Sequence, residues 1–155
     1  MLAEVLAAAV AVGPTILVTE RDAEWAHSLA EQYGVTILDD PGKGQGEAVA
    51  AALAGVPEWP VLVVNADLPS AQPRDLLALL GAMPPEGMAI AAAEDGTTNA
   101  LALSRPALFA PLYGPGSAKR FRVHGEAQGA EVVSLDVPAL AEDIDTLAEL
   151  DRLAS

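Results

Sequence analysis

The chain predicts an α/β layered fold, a single domain with helices packed on a mostly parallel sheet, on three observations. Short apolar runs alternate with helical segments along its 155 residues, and such alternation pairs strands in parallel through crossover helices. Hydrophobic residues make up 52% of the chain but aromatics only 4%, so Ala, Leu and Val fill the core, which favours helices lying close on a sheet. Val61, Leu62, Val63 and Val64 form a continuous apolar run, the pattern of a strand covered on both faces. That run stops abruptly at Asn65-Ala66-Asp67, and Leu68-Pro69 then forbids a helix.

Leu2 to Val12 reads as a helix and Thr15 to Thr19 as a strand. Asp22 is placed to cap a helix running to Tyr33, with Gly34 as its stop. Val35 to Leu38 is a second short strand. Asp39 to Gly46 is a Gly-rich loop, followed by a helix from Glu47 to Ala54. The strand from Val61 to Asn65 comes next. Pro73 opens a helix carrying Leu76, Leu77, Leu79 and Leu80. Met88 to Ala93 and Asn99 to Leu103 are strands around a polar turn. Gly114 to Ser117 turns into a basic helix that ends near Gly129. Glu131 to Asp136 is a last strand, and Thr146 caps a final helix.

Charge narrows the function classes. With 22 acidic against 8 basic residues the net charge is −14, which argues against a nucleic-acid partner. Lys119, Arg120 and Arg122 nevertheless stand close together: a binding patch for a small anion, or a solvated helix start. The apolar N-terminus lacks a basic leader, Glu4 interrupts it and Gly13-Pro14 ends it, so neither a secretory signal nor a membrane span is expected. The absence of Cys rules out disulfides and thiolate metal sites, and a cytoplasmic location is expected.

Five segments can carry chemistry. Asp67 stands at the carboxyl end of a strand, where open α/β sheets bind their ligands. Asp143 and Asp145, two apart in Asp-Ile-Asp-Thr, point to one side of extended backbone. Together with Asp67 they would suit Mg²⁺, which prefers oxygen ligands; alternatively, Thr146 merely caps a helix. Gly114-Pro115-Gly116-Ser117, followed by Lys119-Arg120, offers free backbone N–H groups and a positive dipole end to a phosphate or carboxylate; otherwise it is a turn and cap. Lys43, Gln45 and Gly46 lie in a glycine-rich loop that can meet a phosphate or a base edge, or serve only as a loop. Asp95 to Asn99 offers hydroxyls and an amide, but is also an ordinary turn sequence. His27 and His124 read as surface residues, and no catalytic triad is visible.

Taken in order, Asn65-Ala66-Asp67-Leu68-Pro69, Thr98-Asn99-Ala100-Leu101, Gly114-Pro115-Gly116-Ser117 with Arg120, and Asp143-Ile144-Asp145-Thr146 resemble the 2-phospho-L-lactate or phosphoenolpyruvate guanylyltransferases of deazaflavin coenzyme F-420 biosynthesis. These belong to the nucleotidyltransferase group that includes the molybdenum cofactor guanylyltransferase. The resemblance implies a Rossmann-like three-layer nucleotidyltransferase fold. It implies an enzyme that joins GTP to a phosphorylated three-carbon acid and releases pyrophosphate. By the same resemblance Asp67, Asp143 and Asp145 hold Mg²⁺. Ser117 and the neighbouring backbone of Gly114 and Gly116, with Arg120, Thr98 and Asn99 nearby, grip the acid, while Lys43, Gln45 and Gly46 face the nucleotide.

The chain departs from that family in places. The usual first strand and its basic phosphate-holding loop have no counterpart here. Gln45-Gly46 stands at the family's Leu-Asn near the guanine site, Phe121 replaces a His, and Asp95-Gly96-Thr97 replaces Gly-Thr-Gly. In the family's fold the first strand lies between the strands at 15–19 and 61–65, so its absence leaves two inner edges unpaired. The expectation is that the chain re-pairs across the gap or takes a partner, as in a homodimer. A catalytically inactive, ligand-binding or subunit-forming relative is the alternative function, and a sugar-nucleotide enzyme of similar fold is a third reading, which Gly-Pro-Gly-Ser argues against.

Overall fold

The computed structural model describes residues 2–19 and 22–141. In chain order the elements are α1 (Leu2–Val12), β1 (Ile16–Thr19), α2 (Glu24–Tyr33), β2 (Thr36–Asp39), α3 (Gln45–Ala54), β3 (Val61–Val64), α4 (Pro73–Ala82), β4 (Met88–Ala92), β5 (Thr98–Leu103), α5 (Ser117–Ala127), β6 (Val132–Ser134) and α6 (Pro138–Ala141), with a 3-10 turn at Pro106–Leu108. The alternation read from the sequence is the alternation observed. Thr146 and its expected helix lie outside the described residues.

The local signals act as expected in most places. Gly34 ends α2 in the left-handed conformation, φ 70°. Pro73 occupies the first turn of α4, and Gln72 and Asp75 form a capping box there. Asp22 does not cap α2. The capping position falls on Ala23, which makes no side-chain cap bond, and the carbonyl of Asp22 instead accepts the Glu24 N–H at 3.0 Å. Helix α3 begins two residues earlier than expected, taking Gln45 and Gly46 out of the loop.

Two sheets result among the described residues. One pairs β1 with β2 in parallel; the other has the order β3-β5-β4-β6. Strand β5 runs antiparallel to both β3 and β4, while β4 and β6 are parallel. Thus β3, β4 and β6 share one direction and β5 alone is reversed. The reversal has a local cause: β4 and β5 are joined by a short turn, too short for a crossover helix. The expected re-pairing does not occur among the described residues, where β1 pairs with β2 and β3 with β5. The uncovered edge also explains why all four residues of β3 are only half-buried, where cover on both faces was expected, while all six of β5 are buried.

Three cores hold the layers together. On one face of the four-stranded sheet, Val5 and Ala8 of α1, Leu76 and Leu79 of α4 and Leu140 of α6 pack against Ala89, Ala91, Ala100 and Ala102. On the other face, Phe121 of α5 joins Met88, Ile90, Leu101, Leu103 and Leu108. A third core places Leu2 and Leu6 of α1 against Leu17, Ala26 and Ala30 beneath the two-stranded sheet. Helix α1 therefore presents different residues to the two sheets and ties them together.

Phe121 is fully buried and lies 5.1 Å from Tyr113 in an edge-on contact and 5.8 Å from Phe109. The apolar environment made by α5 and the sheet accommodates the Phe121 ring. Replacing so large a buried ring leaves a cavity, so Phe121→Ala is expected to cost about 3–5 kcal/mol in urea unfolding. A loss below about 1 kcal/mol would contradict this packing.

Candidate functional site

The site is built where the sheet chain turns at the end of β3. Asn65 continues the ladder, its N–H donating to the Asn99 carbonyl at 2.9 Å. Ala66 is exposed, Asp67 half-buried, and Leu68 fully buried in the core. Asp67 is thus held between a hydrogen-bonded residue and a buried anchor, with one carboxylate oxygen buried. The strand-end position assigned from the sequence is the one observed. Asp143 and Asp145 lie outside the described residues. Among the described residues no group of three or more His, Asp or Glu side chains is arranged to hold a metal.

Strand β5 lies beside this turn and carries a β-bulge. Ala91 pairs with Ala100, but Ala92 pairs with Thr98, so Asn99 is passed over on the β4 side. A bulge breaks the alternation of side chains and re-aims its neighbours. Thr98 is turned toward α5, where its hydroxyl lies 2.8 Å from that of Ser117. Asn99 is turned toward α6, where its Nδ2 donates to the Leu140 carbonyl at 2.8 Å. Asn65 Nδ2 donates to the Thr98 carbonyl at 3.0 Å and to Asn99 Oδ1 at 3.1 Å, and Gln45 Nε2 donates to Asn65 Oδ1 at 2.7 Å.

This placement alters several expected roles. Thr98, Asn99 and Ser117 are 2%, 1% and 0% exposed, so their side chains are spent on one another and on the backbone. They shape the site from beneath. The Ser117 hydroxyl, expected to grip an anion, is turned inward to Thr98. The first amides of α5 are also engaged: Ser117 N–H donates to Gly114 O at 3.0 Å and Ala118 N–H to Gly96 O at 3.2 Å. Arg120 does not reach outward either. Its guanidinium donates to the carbonyls of Pro115, Leu112 (2.8 Å) and Tyr113 (3.4 Å), and so holds the loop that carries Gly114 (φ 116°) and Gly116 (φ 73°). Gly46 is a packing residue: a Cβ there would lie 2.6 Å from Pro111 Cβ, so only glycine lets α3 approach that loop. Lys43 is exposed. His124, expected at the surface, is half-buried with Nε2 3.0 Å from the Ala107 carbonyl, and His27 is half-buried with Nε2 inside.

The structure thus brings Asp67, Gln45, Thr98 and Asn99 to one region, with Ser117 and the Gly114–Gly116 loop joined to it through Thr98. Sequence reasoning passed over Asn65 as a site residue and missed the Leu140 carbonyl. One available signal was Asn99 itself, an amide within an otherwise apolar strand, which demands buried partners.

The turn between β4 and β5 is held by Asp95, whose carboxylate accepts from the Thr97 hydroxyl at 2.6 Å and the Thr97 N–H at 3.0 Å. These bonds, the hydroxyl's first, hold the Asp95 carboxyl below its ordinary range.

Solved structures share this architecture. The 4-diphosphocytidyl-2C-methyl-D-erythritol synthase of Anaerococcus prevotii superposes with a TM-score of 0.73 at 15% identity, covering 97% of this chain and 82% of that one. The fold is an α/β nucleotidyltransferase fold. Residues 1–127 match the family described as the MobA-like NTP transferase domain, and the chain belongs to that family. Within reach of it by sequence are proteins named phosphoenolpyruvate guanylyltransferase. The one from Sphaerobacter thermophilus is 36% identical over 131 residues, 81% of this chain and 62% of that protein. The one from Nocardia farcinica is 34% identical over 163 aligned residues, 98% of this chain and 70% of that protein. The chain spans about three fifths of the length of the first of these relatives. Among the described residues, no helix is long and apolar enough to cross a membrane.

Two outcomes test the site's construction. Thr98→Val strands the Ser117 hydroxyl without its partner and is expected to cost about 1–3 kcal/mol. Thr98→Val with Ser117→Ala should cost less than the two single changes added; strict additivity in thermal unfolding would contradict the pairing. For Asp95, the depressed folded-state value means that its contribution is complete above the ordinary value of 3.8 and fades as pH falls through the lower folded-state value. The stability gap between the parent and Asp95→Ala should therefore be full above about pH 5 and shrink as pH falls below the ordinary value of 3.8. A gap constant across that range would contradict the assignment.

Proposed function

We propose that this protein is a guanylyltransferase that joins GTP to a phosphorylated three-carbon acid, phosphoenolpyruvate or 2-phospho-L-lactate, and releases pyrophosphate, in biosynthesis of the deazaflavin coenzyme F-420. The observation that carries the proposal is the identity of about 35% to proteins named phosphoenolpyruvate guanylyltransferase, on a fold that sets Asp67 at a strand end.

The chemistry asks little covalent work of the protein. A phosphate oxygen of the acid attacks the α-phosphorus of GTP. A new P–O bond forms, the bond from the α-phosphorus to its bridging oxygen breaks, and pyrophosphate leaves with that electron pair. No protein nucleophile is needed, so the protein's tasks are positioning and neutralisation of charge. Asp67 is an oxygen donor fixed by Asn65 and Leu68, which suits a hard cation. On this reading Asp67, with Asp143 and Asp145, would hold Mg²⁺, which when bound supplies positive charge to the phosphates. On this reading the Arg120-clamped loop would offer the backbone of Gly114 and Gly116 to the acid, with the Thr98–Ser117 contact keeping the start of α5 against β5. Lys43, exposed in the loop before α3, would meet the triphosphate. The net charge of −14 opposes binding of anions, so local cations carry more of the task of attracting both substrates.

The test is release of pyrophosphate from GTP, Mg²⁺ and each acid in turn. The proposal expects turnover that needs the acid and falls on the order of a hundredfold in Asp67→Ala, with folding unchanged by circular dichroism. Binding of the acid without any pyrophosphate from GTP would contradict it and would favour a binding role.

A further inference from the structure

We propose that Asn99 is a positioning residue, the centre of a directed relay of side-chain amides that holds three segments around the site as one unit. The relay runs from the start of α3 through the end of β3 and the bulge of β5 to α6. Gln45 Nε2 donates to Asn65 Oδ1, Asn65 Nδ2 to Asn99 Oδ1, and Asn99 Nδ2 to the Leu140 carbonyl, at 2.7, 3.1 and 2.8 Å.

The direction of the relay is fixed by chemistry. Backbone carbonyls only accept, so Asn99 must turn its NH₂ toward Leu140 and its oxygen toward Asn65. Asn65 is fixed again by the Thr98 carbonyl, to which its Nδ2 donates at 3.0 Å. Its oxygen is then left to accept, and it accepts from the NH₂ of Gln45. Flipping any one amide would set donor against donor or acceptor against acceptor. Chains of this kind polarise one another and strengthen as a group. The buried end therefore sets the orientation of the exposed end, although Gln45 and Leu140 lie on separate elements.

A purely apolar residue would fill β5 without any polar demand. Asn99 is 1% exposed among Ala and Leu, and an amide buried there is tolerated only with every bond made. What the amide adds is a connection: the Gly-rich loop before α3, the turn at Asp67 and the segment at α6 are held in mutual register. On the guanylyltransferase reading, on which this consequence rests, that register sets the nucleotide-side and acid-side loops relative to each other. The relay itself is a property of the unliganded chain and can be tested without substrate.

The experiment is backbone amide exchange and side-chain amide NMR on the ¹⁵N-labelled protein. Asn65→Ala is expected to speed exchange at residues 45–48 about fivefold, the effect of one lost hydrogen bond, and to leave residues 139–141 unchanged. Asn99→Ala is expected to speed both. Gln45→Ala, a change at an exposed position that leaves the fold intact, is expected to shift the side-chain amide resonances of Asn65 and Asn99 together. Unchanged exchange at residues 45–48 in Asn65→Ala would overturn the relay, as would an Asn99 resonance that ignores Gln45→Ala. Equal acceleration throughout β4 in Asn99→Ala would reduce Asn99 to a general stabilising residue and overturn its positioning role. Absence of guanylyl transfer in the parent would defeat the function proposed above while leaving these readouts to decide the relay.

Discussion

Burial of β5 is the constraint on which the rest of the structure depends. All six of its residues are buried, with β3 on one side and β4 on the other. Its small residues Ala100 and Ala102 meet the core beneath α1 and α4, and its large residues Leu101 and Leu103 meet the core beneath α5. A strand so enclosed must satisfy every polar group it carries. The bulge breaks the alternation between Asn99 and Ala100, so Asn99 shares the α6 layer with Ala100 and Thr98 turns to the α5 layer. One is satisfied by Ser117 and the other by Leu140 and Asn65. The demand for satisfied bonds thus becomes a set of ties among α5, α6 and β3.

Those ties give the polar residues of this region a structural task. Thr98, Asn99, Ser117 and Arg120 have their polar groups spent on other parts of the protein, and they hold loops in place. Preorganisation of this sort suits phosphoryl transfer, where the protein gains most by setting groups in place beforehand. The two-stranded sheet and β3 add a contrast. They are less enclosed than β5, and α1 joins the two sheets by giving different residues to their cores.

Much of the fold was legible in the sequence because the signals were local. The apolar run at 61–64, Pro73 at a helix start, Gly34 at a helix end and the polar turn between two apolar runs each act within a few residues. Asp67 was legible for the same reason, since its place follows from the strand that precedes it. The bulge was not, because a one-residue shift in pairing leaves no mark in composition or periodicity. The inward turn of Ser117 and the capture of Arg120 by three carbonyls depend on the bulge and on the loop at 112–115, contacts between segments that no local rule relates. Asp22 shows the converse: a good capping residue was bypassed because the chain enters α2 one residue later, at Ala23.

The account stands on a ligand site at the end of β3, organised from beneath by the polar residues of β5. A crystal structure of the protein grown with Mg²⁺, GTP and phosphoenolpyruvate examines that claim most directly. The account predicts a cation and a phosphate beside Asp67, with the amides of Gln45, Asn65 and Asn99 in the directions described. Ligands bound away from Asp67, or Asn99 turned outward onto the substrate, would contradict it.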